Sequence, residues 1–405
     1  MLRRNLPFLK GNVYLDSASV SPAPSFVLGK MDVYHRQFPF NYGVGVFRKA
    51  ERCKAEVDRA RSSIARLIGA KPEEIVFTKN TTEAINLVAS GLKFTPGDEI
   101  IVTELEHQSN LIPWFCLEKE KGVRVKVIEA DQNGLIDLSK VVRSLNRRTR
   151  LVTMTHVSNV LGTVQRVEEM GRILRGSQAL FMVDGAQSVG RIPVDVATID
   201  CNFFAACGRK AMLGPQGTAF LFGKSDSLER LRPLMLGSRA ANVTRTSEYK
   251  LEPIPFRFEA GLINTSGYIG LGTAAEYLEK LGLKTVEGRI RGLTSLLLKG
   301  LKRVEGIKIY GSPSIDRQVG IIAWNLEGYD SHEVARALDR MGILVASGAQ
   351  GSPLMMKALG IKGVVRTSIH YYNTESDINR LIRSLRMLKR RKRIIISGDR
   401  YQCKE

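Results

Sequence analysis

A run of apolar residues that ends in a single acidic residue is the feature that most limits the possible folds of this chain. Residues 179–183 are all apolar, and Asp184 follows directly. A short run that is apolar at every position is typical of a strand buried on both faces, as in a parallel sheet covered by helices. Ligands of α/β proteins bind at the carboxyl ends of such strands, so Asp184 is predicted to lie at a ligand site.

The segments around this strand alternate between helical and strand-like patterns. Residues 47–69 carry apolar or small side chains at the spacing of an amphipathic helix, and a second helix is predicted at about 82–90. Further strand-like segments occur at 74–77, 99–102, 123–128, 150–154 and 218–222. We therefore predict an α/β fold whose large domain has a mainly parallel sheet flanked by helices.

The last third of the chain has the pattern of a second, smaller α/β domain. Two long helices are predicted at about 266–281 and 286–304, followed by a strand at 318–325 and helices at 330–341 and 374–387. The expected division is an N-terminal segment at 1–45, a large cofactor-binding domain at 46–280, and a C-terminal domain with a basic tail at 281–405.

A lysine follows the acidic residue after 26 positions, at Lys210. An ionised aspartate can hold the proton of a pyridinium ring, and this proton makes the ring an electron sink. A nearby lysine can form a Schiff base with an aldehyde and then move protons. Asp184 and Lys210 therefore predict a pyridoxal phosphate site. Gln187 is expected to hydrogen-bond the phenolic oxygen of that ring.

A polar loop at 78–83 precedes the helix predicted at 82–90 and suits a phosphate group. The N-terminus of that helix would offer backbone N–H groups and a partial positive charge to the phosphate. The alternative is an ordinary helix cap formed by Thr81 or Thr82, with Glu83 in the first turn.

Several short motifs occur in order along almost the whole chain, at 14–18, 106–110, 158–163, 183–188, 207–215, 366–368 and 372–374. Together they resemble the class V aminotransferase family of fold-type I pyridoxal phosphate enzymes. This family includes cysteine desulfurases, selenocysteine lyases and isopenicillin N epimerase-like proteins. The resemblance implies a fold-type I transferase fold, pyridoxal 5'-phosphate as cofactor, a small amino acid as substrate, and a homodimer with shared active sites.

The resemblance also implies roles for individual residues. Thr81 and Thr82 match residues at the cofactor phosphate, and His107 matches the residue that stacks on the ring, where an imidazole can also exchange protons. Arg366 matches the arginine that binds the substrate carboxylate through its planar fork. Asn159 matches a residue near the ring and the same carboxylate. The alternatives are a surface position for His107, a structural salt bridge for Arg366 and a capped turn for Asn159.

Three further matches concern the phosphate. Thr265 matches a residue that reaches the phosphate of the neighbouring subunit. Cys207 stands where relatives often have Ser or Thr in contact with the phosphate, and Arg209 stands where they commonly have His. Since a guanidinium cannot act as a base at neutral pH, Arg209 is expected to pair with the phosphate instead.

The loop at 346–353 departs from the cysteine desulfurase pattern because it contains no cysteine. In those relatives this loop carries the nucleophilic thiol that accepts sulfur as a persulfide. Cys207 is expected to be too fixed to carry sulfur away, and nothing ties Cys403 to the site. An aminotransferase is therefore the first expectation.

Three other functions remain as alternatives. The first is a cysteine desulfurase or selenocysteine lyase that releases sulfur or selenium to an external thiol. The second is an amino-acid epimerase. Outside the enzymes, the alternative is a protein that retains the cofactor but binds a partner or nucleic acid.

The net charge of +21 favours anionic ligands, and seven basic residues lie close together at 383–393. The first interpretation of this run is a solvated helix end, and the alternative is a surface for nucleic acid or an acidic partner. The five cysteines have no paired spacing, and His35, His156, His332 and His370 lack motif support, so no metal site is expected. No membrane-spanning or signal segment is recognised, and a cytoplasmic location is expected.

Overall fold

The computed structural model describes residues 2–43, 45–312 and 314–399. Its helices are α1 (Ser25–Gln37), α2 (Arg48–Leu67), α3 (Thr81–Gly91), α4 (Ile112–Lys121), α5 (Leu138–Ser144), α6 (Val167–Leu174), α7 (Val196–Ile199), α8 (Ser225–Glu229), α9 (Thr265–Leu281), α10 (Leu283–Lys302), α11 (Ser331–Asp339), α12 (Pro353–Ala358) and α13 (Glu375–Asp399). Its strands are β1 (Val13–Tyr14), β2 (Ile75–Thr78), β3 (Glu99–Thr103), β4 (Arg124–Ile128), β5 (Thr149–Thr155), β6 (Leu180–Asp184), β7 (Phe203–Cys207), β8 (Ala219–Gly223), β9 (Ala241–Arg245), β10 (Glu248–Leu251), β11 (Ile307–Tyr310), β12 (Ile321–Leu326), β13 (Ile343–Leu344), β14 (Ala346–Gly348) and β15 (Val364–Ser368).

Seven strands form the large sheet, in the order β2-β8-β7-β6-β5-β3-β4. Every pairing from β7 through β6, β5 and β3 to β4 is parallel. Only β8 runs against its two neighbours, β7 and β2. The predicted mainly parallel sheet is confirmed, and the chain order reverses between β5 and β3. An open sheet binds ligands at such a reversal.

Helices cover both faces of this sheet. The adjacent residues Phe203 and Phe204 on β7 are both fully buried and belong to two different apolar clusters, because successive side chains of a strand point to opposite faces. Ile64 of α2 packs in the cluster of Phe204, and Trp114 of α4 packs in the cluster of Phe203. Burial on both faces holds the strand ends in fixed positions.

The C-terminal part forms a second sheet of four antiparallel strands, in the order β11-β12-β15-β14. A separate apolar cluster joins this sheet to α10, α11 and α13. Trp324 is buried there, and its indole N–H donates to Thr367 Oγ1 at 2.9 Å. A smaller C-terminal α/β unit was expected. The exact domain limits of 45 and 280 stay a prediction, and residue 280 falls near the end of α9.

The N-terminal segment crosses to this second sheet. β1 pairs in parallel with β13, with Tyr14 opposite Leu344, and Asp16 forms a bridge with Ser368 at the end of β15. Leu15 is fully buried between these contacts. The segment therefore brings Asp16 close to residues more than 300 positions away.

Several elements, among them α1, α4 and β7, were not predicted from the sequence, and one predicted helix is longer than expected. The antiparallel hairpin formed by β9 and β10 was not predicted, because nearly all of its residues are exposed and no buried face marks the pattern. Helix α13 continues to Asp399, beyond the predicted end at 387. Arg383 and Arg386 are exposed on it, and a nucleic-acid surface there stays a prediction. Within the described ranges, no helix combines the length and the apolar character that crossing a membrane requires.

Candidate active site

The carboxyl ends of neighbouring parallel strands open into one cavity of about 110 Å³. Thr155 ends β5 and Asp184 ends β6, whereas His107 and Lys210 follow β3 and β7. The cavity is lined by Asn80, Thr81, Thr82, His107, Ser109, Thr155, Asn159, Asp184, Ala186, Gln187, Arg209 and Lys210. Asp184 and Lys210 thus face a common space, as the sequence predicted.

Three of the predicted site residues do not line this cavity. Cys207 ends β7 and is buried against Ala186 and Ala219. Thr265 begins α9, and its hydroxyl donates to the carbonyl of Ile263 at 3.4 Å. Arg366 lies on β15. The roles proposed for Cys207 and Thr265 at a phosphate stay predictions.

Asp184 and Lys210 each influence the pKa of the other. Burial raises the pKa of Asp184, while the backbone N–H of Ala186, at 2.9 Å from Oδ1, and the charge of Lys210 oppose this rise. Desolvation by the surrounding protein lowers the pKa of Lys210, against the influence of Cys207 and Asp184. A lysine with a lowered pKa is more often neutral, which is the form that attacks a carbonyl carbon.

The first turn of α3 faces the cavity. Asn80 caps this helix, since its Oδ1 accepts the backbone N–H of Glu83 at 2.9 Å. The predicted cap by Thr81 or Thr82 is therefore wrong, because Asn80 already occupies the capping position. The Thr81 hydroxyl is buried with no hydrogen-bond partner among the described residues, and Thr82 donates to Ser109 Oγ at 2.8 Å.

His107 is a neutral imidazole at the wall of the cavity. Its Nδ1 accepts the backbone N–H of Ser109 at 3.1 Å, so the ring proton resides on Nε2. Burial, together with the charges of Lys210, Arg366 and Arg209, lowers the pKa of His107 to about 4. The ring is therefore uncharged near neutral pH.

The thiol-free loop at 346–353 is held against the cavity by short contacts. The backbone N–H of Gln108 donates to Gly351 O at 2.7 Å. The Asn159 amide donates to Gln350 O at 2.8 Å and accepts from the Ser352 hydroxyl at 3.0 Å. Asn159 thus lines the cavity and also fixes this loop, a role that the sequence did not suggest.

Gly351 approaches His107 so closely that no side chain fits between them. A Cβ atom at this position would lie 2.4 Å from His107 Nε2, and the backbone φ angle is +68°. Both the contact and the left-handed backbone favour glycine. A cysteine at this point of the loop would require His107 to move.

Arg366 is buried and already paired. Its Nη1 donates to Asn159 O at 3.0 Å, and its Nη2 donates to Asp16 Oδ1 at 2.9 Å and to Ser19 Oγ at 2.6 Å. Its Nε is buried with no hydrogen-bond partner within the described part of the chain. The salt bridge expected as the alternative for Arg366 is present, and the carboxylate-binding role stays a prediction.

Glu106 is a buried carboxyl group beside the site, and no role was predicted for it from the sequence. It accepts from Asn110 Nδ2 at 2.7 Å and from the backbone N–H of Thr155 at 2.8 Å, and Thr155 lies opposite Asp184 in the sheet. Burial raises the pKa of Glu106 to about 8, although these donors oppose the rise. Its place directly before His107 was the available signal.

No described cysteine lines the cavity. Cys53, Cys201 and Cys207 are buried, Cys116 is exposed on α4, and Cys403 lies outside the described residues. The described residues also contain no group of three or more His, Cys, Asp or Glu side chains arranged to hold a metal ion.

Comparison with known proteins gives consistent matches along the chain. The model of the family described as aminotransferase class-V matches residues 13–381. A probable cysteine desulfurase of Methanothermobacter thermautotrophicus is 42% identical over 384 residues, which cover 94% of this chain and 95% of that protein. A probable cysteine desulfurase of Pyrococcus abyssi is 36% identical, with 95% and 98% covered. The apo structure of the cysteine desulfurase from Thermococcus onnurineus NA1 superposes with a TM-score of 0.93 at 36% identity and covers 96% of this chain and 97% of that one.

Proposed function

Because this chain belongs to the aminotransferase class-V family and is a pyridoxal phosphate enzyme, we propose that it removes sulfur from L-cysteine and passes it to an external thiol. The observation that carries the desulfurase reaction is the identity of 42% to a probable cysteine desulfurase over nearly the full length of both chains. The aminotransferase reaction expected first from the sequence has weaker support, since the relatives named above are all called cysteine desulfurases.

The residues around the cavity fit pyridoxal phosphate. The Thr81 hydroxyl and Gln187 Oε1 are buried polar atoms without a partner among the described residues, and both residues line the cavity. Such atoms are costly unless a ligand or water satisfies them. Arg209 also lines the cavity and forms no ion pair with a described residue. These groups suit a phosphate and a phenolic oxygen.

We assign the cofactor contacts as follows. Asp184 would hold the ring nitrogen, whose positive charge would compensate the burial of the carboxylate. Lys210 would bind the aldehyde carbon, and Gln187 the phenolic oxygen. The phosphate would lie at the N-terminus of α3, near Thr81, Thr82 and Arg209, where helix N–H groups attract an anion.

When bound, pyridoxal phosphate supplies an aldehyde that joins the substrate amine and a ring that stabilises negative charge at the α-carbon. Lys210 takes and returns the proton at that carbon, since its lowered pKa gives it a basic, neutral form. His107 packs over the cavity as a neutral ring with its proton on Nε2, from which it can donate. The loop at 350–352 packs against Asn159 and His107 and would hold both side chains in position.

The sulfur acceptor is a thiol that does not belong to the chain. The loop at 346–353 has no cysteine, and none of the described cysteines lines the cavity. The reaction then is L-cysteine + RSH → L-alanine + RSSH, in which the Cβ–S bond breaks and an S–S bond forms on the external thiol. Protons are balanced on both sides, and no separate oxidant is needed.

Turnover with and without a thiol tests this proposal. L-cysteine is itself a thiol and can accept sulfur from a second molecule, so we expect slow alanine formation with L-cysteine alone, whereas added dithiothreitol should raise the rate and give alanine and sulfide in equal amounts. Lys210→Ala should form no alanine under either condition. A persulfide found on Cys116 or Cys403 by mass spectrometry would identify an acceptor within the chain and refute the external thiol. Keto-acid formation without alanine would instead favour transamination.

We also propose a homodimer. Apolar side chains are exposed in the region before α9, at Leu236, Val243, Tyr249 and Leu262. Leu262 lies three residues before Thr265, the residue whose family counterpart contacts the neighbouring subunit's phosphate. An exposed apolar group of this kind is typical of a surface that another chain covers.

A further inference from the structure

Arg366 is occupied by a carboxylate of the chain itself. Among the described residues, Asp16 is the only acidic partner with which it forms an ion pair. The side chain of Arg366 is 4% exposed and that of Asp16 is 22% exposed. The acid is therefore the partner that can leave, whereas the guanidinium is held in the interior by its bond to Asn159 O.

The side chain of Asp16 can move without detaching its segment. The backbone N–H of Leu15 donates to Leu344 O at 2.8 Å, and the backbone N–H of Ser368 donates to Leu15 O at 2.7 Å. These bonds anchor the main chain on both sides of the segment. A rotation about the Cα–Cβ bond of Asp16 would release Arg366 and leave the backbone in place.

Asp16 contacts only one of the three nitrogens of the Arg366 guanidinium. Its Oδ1 contacts Nη2 alone, and Nε stays without a partner among the described residues. A free carboxylate that bound Nη2 and Nε together would form two parallel charge-assisted hydrogen bonds. It would also satisfy a buried donor that is costly to leave unpaired.

We propose that Asp16 is a resident counter-ion of the substrate-carboxylate subsite and that the α-carboxylate of an incoming amino acid displaces it from Arg366. This inference rests on the proposed function, since it takes an α-amino acid as the substrate. Asp16 keeps the buried guanidinium neutralised while no substrate is bound. It also sets a requirement for the substrate, because an amine without a carboxylate cannot replace Asp16.

The variant Asp16→Asn distinguishes two roles of Asp16. In one, the substrate carboxylate displaces Asp16 from Arg366; in the other, Asp16 only orients Arg366 for the substrate. The amide keeps an oxygen that can accept from Ser19 and Arg366, but it removes the negative charge. Displacement predicts that propanoate, a carboxylate without an amine, binds the holoenzyme about tenfold more tightly in Asp16→Asn, because a neutral competitor holds Arg366 less firmly. The KM for L-cysteine should also fall in Asp16→Asn. Calorimetric titration measures the propanoate affinity directly.

Arg3→Gln is the matched control, because Arg3 anchors the same segment through Asp377 at 2.8 Å and does not touch Arg366. Its propanoate affinity should equal that of the unmodified protein. Unchanged or weaker propanoate binding in Asp16→Asn would overturn the proposal, since an orienting residue would lose affinity on removal. If Asp16→Asn does not fold, Ser19→Ala is the second variant, since it removes the hydroxyl that is bound to both Asp16 and Arg366. Ser19→Ala should tighten propanoate binding to a smaller extent. Equal or weaker propanoate binding in Ser19→Ala would overturn the proposal.

This test is independent of the desulfurase reaction. Propanoate binding needs no turnover, so it reports on Asp16 even if L-cysteine proves not to be a substrate. Alanine formation by the unmodified protein, together with unaltered propanoate affinity in Asp16→Asn, would refute the role of Asp16 alone.

Discussion

Several buried side chains are kept uncharged by their surroundings. Burial lowers the pKa of His107 and His156 to about 4 and that of His370 to about 3. For the carboxyl groups of Glu106 and Asp184, burial raises the pKa. As the pH falls from neutral, the histidines therefore destabilise the fold and the two carboxyl groups stabilise it. Only a comparison of variants separates the two contributions.

His370→Gln should reduce the loss of stability in acid. The unfolded chain binds a proton at His370 near pH 6.5, whereas the folded protein does so only near pH 3. The stability that depends on a neutral His370 is therefore fully present above pH 6.5 and is lost as the pH falls. Between pH 7 and pH 5 the expected loss is about 2 kcal/mol of unfolding free energy. Urea unfolding at both pH values should show that the decrease is smaller by this amount in His370→Gln. The exposed His35, replaced by Gln, serves as the control, and equal pH dependence in both variants would contradict the expectation.

At the scale of elements, the loop between β14 and α12 packs behind two residues of the cavity wall, His107 and Asn159. Its carbonyls and hydroxyl bind Gln108 and Asn159, and Gly351 lies against the imidazole of His107. In the cysteine desulfurase pattern this loop carries the nucleophile. Here the loop contains no cysteine, and its Gly351 lies in close contact with His107, so the loop positions residues of the cavity wall instead.

Gly351→Ala should disturb the site more than a similar change nearby. Gly351 and Gly360 have almost equal φ angles, +68° and +65°, but a Cβ at Gly360 meets no atom within 4 Å. Both alanine variants should lose about 1–2 kcal/mol of stability from the left-handed backbone. Only Gly351→Ala should also weaken cofactor binding, as measured by the absorption band of the bound aldehyde during titration. Equal cofactor affinity in the two variants would show that the contact with His107 has no effect.

The sequence predicted most strands of the large sheet, although it missed β7, whose five residues are all buried. β6 and β8 are recognisable because nearly every residue in them is apolar, and β3 because its three central residues are. The position of Asp184 at a strand end follows from the pattern of β6. The β9–β10 hairpin has no buried face and left no signal. The pair of Asp16 and Arg366 could not be read from the sequence, since its members are 350 positions apart and meet only through the path of the N-terminal segment.

At the scale of the whole molecule, the exposed apolar residues before α9 predict association. Light scattering should give about twice the chain mass of 45.0 kDa. Leu262, which is 70% exposed, is the best position for a disruptive charge, and Leu262→Asp should shift the mass toward one chain because a buried unpaired charge is costly. Val142→Asp, at a residue 45% exposed on α5, should leave the mass unaltered. A single-chain mass for the unmodified protein at micromolar concentration would refute the dimer.

The pairing of β1 with β13 has a consequence for synthesis on the ribosome. Tyr14 is translated 330 positions before its partner Leu344, a delay of roughly 20 to 60 seconds at ~5–20 residues per second. The large sheet, whose strands end at residue 223, is complete long before that partner emerges. β1 therefore stays unpaired until Leu344 has been translated, and Asp16 can reach Arg366 only after the strands of the large sheet have been made.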